Sequence, residues 1–352
     1  MGSRKADAIV ASRGTEKALP EHTRQVNRSL ILRTLFHGAA MSRADLARVT
    51  GLTRVSVSRI VDDLIAEGLV LEHGPSSGGR VGKPSTSIAL NPHAYHVVSL
   101  DLSAYAELTG AIMSLDGEVV HSMSVPMDGA TGPALLEKVC ALASALVKRS
   151  TVRVDLDVGS AIAAVVPVPV HIANDANAAA LAARTYGRPA VDDLVLVRIG
   201  QGIGSGVVVG GTLVTGHRFT AGEIGHVLID EDGARCRCGR RGCLEVVAAV
   251  PYIRQLLAEP GASATVVLGA AGRALGRVLT PVVTALGLEQ VVLSGPEDIV
   301  GGVFLEEARA TIEEQTLAIV TDALDIRVAV RGDDIVLLGG TALVIAEELG
   351  IR

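Results

Sequence analysis

Three cysteines within eight residues, Cys236, Cys238 and Cys243, with His226 ten positions ahead of the first, constrain this chain more than any other feature. Three thiolates and an imidazole are the ligand set of a closed tetrahedral Zn²⁺ site. The stretch that carries them, residues 222–245, reads GEIGHVLIDEDGARCRCGRRGCLE. Its glycines and arginines describe a tight, solvated knuckle rather than a buried element. Reduced, unligated thiols or a disulfide are the alternatives, but cysteines this close together beside a histidine rarely serve as packing.

A chain of 352 residues is long enough to set such a knuckle in two or three domains with sizeable cores. Hydrophobic residues make up 49% and charged residues 20%, a globular balance. Aromatics are 2% with no Trp, so the cores rest on Val, Leu, Ile and Ala. No apolar run reads as long enough to span a bilayer, and residues 1–22 are too polar for a signal peptide, so no membrane partner is expected. The clustered cysteines suit a reducing cytoplasm better than a disulfide framework. Charge is uneven: residues 1–90 hold 13 Lys+Arg against 8 Asp+Glu, and the remainder holds 19 against 30. A basic front end on an acidic body points to a polyanion as the partner of the front end.

Residues 1–22 lack periodicity and read as a flexible tail, and residues 23–92 as a winged helix-turn-helix. From Thr23, Val26, Leu30, Ile31 and Leu35 share one helical face, and Gly38 ends it. Ser42 is placed to cap a second helix, with Asp45 three residues on and Leu46, Ala47 and Val49 as its apolar face. A turn at Gly51 leads to a third helix, where Val57, Ile60, Val61, Leu64 and Ile65 point inward. Its outward N-terminal residues, among them Arg54, Ser56, Ser58 and Arg59, stand at the end that enters the major groove in such motifs. Arginine makes bidentate contacts to guanine, and serine reaches base or phosphate. A hairpin wing follows, with Arg80 and Lys83 on a Gly-rich tip within reach of phosphates or the minor groove. A small helical protein-interaction module with solvated arginines is the alternative. One recognition helix reads only a few base pairs, so a dimer on a palindromic site of double-stranded DNA is expected.

From Tyr95 the texture becomes α/β. Strands around an Asp116-Gly117 turn, a helix over 132–148 carrying Cys140, a short strand before a helix near Asn174, and two strands around a Gly-rich turn follow in order. The segments EQVVLSGPEDIVGG and DIVLLGGTALVIAEELG each read as strand, glycine turn, helix. The turns at 202–206 and 339–341 could cradle phosphate or simply be tight. Asn174-Asp175 either caps its helix or sets a base at the mouth of a cleft.

The strings HIANDANAAALA, GQGIGSGVVVGG, AGEIGHVLID and CRCGRRGCLE, behind a winged helix-turn-helix, resemble the ROK family (repressors, open reading frames, kinases) over roughly residues 24–352. The resemblance implies a two-lobed, actin-like (ribonuclease-H-like) α/β body over 95–352, a homodimer or homotetramer, and a sugar or sugar phosphate in the cleft. It implies a structural Zn²⁺ on His226, Cys236, Cys238 and Cys243 (a knuckle over 226–243). It also implies a sugar held by Asn174, Asp175, Glu223, His226 and Glu245, with Asp175 at the position of the kinases' base.

The departures from that pattern bear on activity. Where kinase members carry Asp-x-Gly-Gly-Thr, this chain has Asp101-Leu102-Ser103-Ala104-Tyr105, and the second turn reads Gly200-Gln201-Gly202 instead of Gly-Thr-Gly. Cβ atoms then stand where the backbone should approach ATP phosphates, so no enzyme activity is expected. The 158–169 segment and the region after Tyr252 are short for the family. The expected function is a sugar-responsive, DNA-binding repressor. A constitutive regulator with the body as dimerisation scaffold, or an ATP-dependent sugar kinase, are the alternatives.

Overall fold

The computed structural model describes residues 20–75, 86–104, 106–150, 169–332 and 334–351. Residues 1–19, Arg80, Lys83, Tyr105 and residues 158–168 lie outside these.

The head comprises α1 (Pro20–His37), β1 (Met41–Ser42), α2 (Arg43–Thr50), α3 (Arg54–Ala66), β2 (Val70–Pro75) and β3 (Thr86–Leu90). α1 thus starts inside the stretch that reads as tail. The expected cap forms: Ser42 Oγ accepts the Asp45 N–H at 3.2 Å and pairs with its carboxylate at 2.7 Å. Gly51 closes α2 at φ 71°, in the left-handed region that glycine enters freely, and Thr53 caps α3. The strands form an antiparallel sheet in the order β1-β3-β2. Val57, Ile60, Val61 and Leu64 are buried as expected. Val26 and Val49 are not: they are 53% and 63% exposed, and α1 buries the expected Ile31 and Leu35 together with Leu32.

Behind the head, β4 (Val97–Asp101), β5 (Glu107–Met113) and β6 (Val119–Pro126) form an antiparallel sheet packed on α4 (Gly132–Arg149). Next comes α5 (Asp175–Tyr186); the short strand expected before it is not formed over 170–174. The second lobe holds β7 (Leu194–Ile199), β8 (Ile203–Val209), β9 (Thr212–Leu213), α6 (Glu245–Ala248), α7 (Val250–Leu257), α8 (Ala264–Leu286), β10 (Gln290–Ser294), α9 (Glu297–Val300), α10 (Gly302–Gln315), α11 (Ala318–Thr321) and β11 (Asp325–Val328). Its sheet runs β11-β10-β7-β8-β9, parallel across the first three and antiparallel beyond. This is the mixed α/β body that the alternating pattern implies.

Contrary to the reading of the apolar runs, the 23-residue α8 is long and apolar enough to cross a membrane. It packs in the second lobe's core instead, with 56% of its most apolar 18-residue stretch buried. Gly272 and Gly276 let α10 approach so closely that a Cβ would strike the Phe304 carbonyl or, at 2.6 Å, Thr311 Cβ.

The chain ends on α12 (Ile335–Glu348), and here the reading as strand, glycine turn and helix is overturned: the segment is helical throughout. Gly339 and Gly340 are not a phosphate turn but contact points. A Cβ on Gly339 would fall onto the backbone of Ala178 in α5, and one on Gly340 would lie 2.9 Å from Ser99 Oγ in β4. Close helix packing outweighs the roughly 1 kcal/mol that each mid-helix glycine costs. α12 is therefore wedged between the first sheet and α5, while α5 rests on β8, where a Cβ on Gly206 would lie 2.6 Å from Ala180 Cβ. The two helices form the joint between the lobes.

Both helices also reach the head. Ile345 and Ile351, 1% and 2% exposed, share one core with Ile31, Leu32, Leu35, Leu64 and Leu115, and Tyr186 at the end of α5 packs on Phe36 with ring centroids 6.0 Å apart.

Candidate functional site

A cleft of about 610 Å³ opens between the lobes. It is bordered by the end of β4, the start of α5, the β7–β8 turn and the segment around His226. Asn174, Asp175, Glu223, His226 and Glu245 all line it, so the five expected effector residues converge. Glycines place them. Gly222 has φ 92°, and a Cβ there or on Gly225 would collide with the β8 backbone, so this segment lies directly on β8 and presents Glu223 and His226 to the cleft. Glu245, at the head of α6 and 4% exposed, points back to the β7–β8 turn. Its Oε2 lies 3.4 Å from the Ile203 N–H and its Oε1 3.5 Å from Arg237 Nη2.

Asn174 caps α5, its Oδ1 accepting the N–H groups of Ala176 and Asn177 at 2.9 and 3.2 Å. The capping role and a place in the cleft coincide in one residue, whose amide N–H₂ remains a donor. Polar groups outside the expected set also line the cleft, among them those of Asn177, Asp101, Ser103 and Arg198. Asn177 is 92% buried by its 8% exposure, with no partner for its Oδ1 among the described residues. Asp101 and Ser103 stand at the end of β4, and Arg198 at the end of β7 donates to Asp175 Oδ2 at 2.9 Å. The signal for Arg198 was a single charge in the strand LVLVRI.

At the other side of Glu245 the four expected metal ligands gather, with their ligand atoms within 4.8 Å of one another. Cys236 Sγ is 3.7 Å from His226 Nδ1, and Cys238 Sγ is 3.6 Å from Cys243 Sγ. A zinc–sulfur bond of about 2.3 Å gives tetrahedral edges of roughly 3.8 Å, so donor set and spacing both fit. With Nδ1 on this side, His226 has Nε2 left for a ligand. The knuckle closes through Cys236 N–H to Arg240 O at 2.8 Å and bridges Leu228–Cys243 and Arg235–Arg241. Hydrogen bonds from the Arg240 backbone and side chain hold the exposed Cys238 thiol down to about 6, while burial pushes Cys243 up to about 12. One thiolate is thus ready at neutral pH, and a bound cation would draw off the remaining protons.

On the head, Arg54, Ser58 and Arg59 line one shallow recess on the outer face of α3, together with Val55, which is 79% exposed. Ser56 is partly spent: its hydroxyl lies 2.9 Å from that of Thr53 and its N–H donates to the same oxygen. Arg80 and Lys83 fall outside the described residues.

A family model described as ROK family matches residues 142–347, and one described as bacterial regulatory proteins, crp family, matches residues 40–70. A putative xylose repressor of a Caldicellulosiruptor species is 27% identical over 93% of this chain and 97% of its own length. The xylose repressor of Bacillus subtilis is 31% identical over 64% of this chain and 66% of its own. A solved ROK family transcriptional regulator, described as a homolog of the E. coli MLC protein, superposes with a TM-score of 0.79 at 23% identity, covering 94% of this chain and 98% of that one. A ROK hexokinase from Thermus thermophilus reaches 0.58 at 24% identity over 70% of this chain and 97% of its own. At these identities the two structures speak to fold: a two-lobed body of the sugar-kinase type. A family match over more than half its length places the chain in the ROK family.

Proposed function

We propose that this chain is a sugar-responsive, DNA-binding repressor whose cleft senses a monosaccharide and whose winged head binds a palindromic operator as a dimer. The observation that carries the coupling is the shared core. The joint helices α5 and α12 border the cleft at one end and enter the head's hydrophobic core at the other. α5 spans about 18 Å and α12 about 21 Å at 1.5 Å per residue. A sugar that favours one closure of the lobes shifts both helices, and Phe36, Ile345 and Ile351 pass the shift to the recognition helices. Such coupling is worth about 1–3 kcal/mol in typical systems.

Zinc on His226, Cys236, Cys238 and Cys243 has a structural role in this reading. It holds Glu223, His226 and Glu245 in place, and no reaction step runs through it. The cleft speaks against kinase chemistry: Asp175 accepts from Arg198, Ser103 and Ala104 stand where the resemblance to kinases leads one to expect glycines, and Gly339-Gly340 lies inside a helix. The names of the relatives, two xylose repressors, agree with a sugar effector and an operator partner.

The DNA half is tested by operator binding across a salt series. In Arg54→Ala with Arg59→Ala, affinity is expected to fall by about 1–3 kcal/mol for each lost base contact. The log–log salt slope becomes shallower by about one for each lost phosphate contact. A double variant that binds operator as the parent does, with the same slope, overturns the assignment of this face.

A further inference from the structure

Arg198 connects the two lobes across the cleft. Leu194 and Leu196 share the β7 face buried with α5 in the first core, whereas Val195, Val197 and Ile199 serve the second core. Side chains alternate along a strand, so Arg198 continues the Leu194–Leu196 face, where β7 runs out into the cleft. Its Nε donates to Asp175 Oδ2 at 2.9 Å and its Nη2 to Ser103 Oγ at 2.7 Å, with Asp101 Oδ2 at 3.9 Å. Asp175 heads α5, which rests on the same sheet as β7. Asp101 and Ser103 belong to the other lobe. The side chains are half-shielded, 23% exposed for Arg198 and 14% for Asp101, so the attraction exceeds that of a surface pair.

The guanidinium reaches the 101–103 segment, and both this segment and the 200–202 turn that follows β7 line the cleft; they stand where the resemblance to kinases places phosphate loops. The guanidinium already faces two carboxylates. Farther along the cleft, Glu223 and Glu245 stand with Arg237, which is 3.5 Å from Glu245, and His171 is 3.1 Å from Glu348. Arg198 and Arg237 thus each have a carboxylate beside them, and a phosphate ester entering here would meet Asp101, Asp175, Glu223 and Glu245 against two guanidinium groups.

We propose that Arg198 is a built-in latch and specificity residue: it clamps the lobes across the cleft, fills the space of a phosphoryl group, and restricts the effector to uncharged sugars. A neutral hydroxyl can donate to the remaining edge of Asp175 without displacing the guanidinium, whose planar fork stays on its partners. The restriction rests on the reading of the cleft as a sugar site; the clamp does not.

Two arms test it on the full chain. The first is hydrogen–deuterium exchange of ligand-free protein. Arg198→Met is expected to speed exchange over the 101–104 and 198–203 segments by about tenfold, Ser103→Ala by less, and Arg198→Lys to recover part of the protection. Ser103→Ala, which removes one hydroxyl just beyond the end of β4, keeps the test alive should the methionine variant misfold. The second is calorimetry of the parent with D-xylose and D-glucose against D-xylose 5-phosphate and D-glucose 6-phosphate, where the free sugar should bind at least about tenfold tighter than its ester. Unchanged exchange in both variants, or an ester preferred over its parent sugar, overturns the proposal. Binding of neither sugar nor ester would sink the sugar reading and with it the restriction, while the exchange arm still decides the clamp.

Discussion

A chain carrying Cys236→Ser together with Cys238→Ser is expected to lose the capacity to bind zinc and, with it, the proposed response to sugar, while still binding operator DNA. Serine hydroxyls do not replace thiolates on zinc, and two of four ligands is too few for a closed site. The backbone of the knuckle between His226 and Glu245 is held by a tight turn at 236–240, two isolated bridges and hydrogen bonds such as those of Ile229 and Asp230 N–H to Gly242 O and Leu244 N–H to Val227 O, and a cation would add the link between its four ligand side chains. Once it loosens, His226 and Glu245 lose their fixed directions. Each charged hydrogen bond to the sugar that goes with them is worth about 1.5–3 kcal/mol, or roughly ten- to hundredfold in affinity. Metal analysis with calorimetry checks this. Zinc lost with the sugar response intact would mean that the knuckle is no clamp.

The second large effect is expected from a single methyl group. Gly339→Ala places a Cβ on the Ala178 backbone, at the crossing of the two joint helices. The neighbour is backbone, so it cannot swing aside, and the helices must separate. Overpacking of this kind costs about 1–3 kcal/mol, occasionally more. The melting temperature should drop, and the sugar should cease to change operator affinity even where it still binds. Gly287→Ala is the control: nothing lies within 4 Å of its Cβ position, and the cost there comes only from φ 61°. Stability lost at both positions with coupling kept at 339 would remove the joint from the account.

These contacts also show where the sequence could be read and where it could not. The head's first cap and its turn were legible because Ser42, Asp45 and Gly51 act on neighbours a few residues away. Val26 and Val49 misled because periodicity gives the direction of an apolar face but not its width. Part of the head's core is supplied by Ile345 and Ile351 at the far end of the chain. The GG pair of α12 looked like a turn because glycine disfavours an isolated helix, and only the approach of α5 and β4 reverses that preference. The four residues that gather around one point, His226, Cys236, Cys238 and Cys243, and the five that line the cleft were legible as short motifs. Arg198 was not, since its meaning lies in Asp175, Ser103 and Asp101, which come from two other segments.

The central claim, that a sugar in the cleft is felt by the head, is tested most directly by one titration. Operator affinity is measured with and without saturating monosaccharides from a panel, using the parent chain and Asp175→Asn as control. At least one uncharged sugar should change operator affinity in the parent by about 5- to 150-fold, the span of 1–3 kcal/mol of coupling, and the effect should shrink in Asp175→Asn. Operator binding that no sugar alters, in a chain that binds sugar with measurable heat, would contradict it.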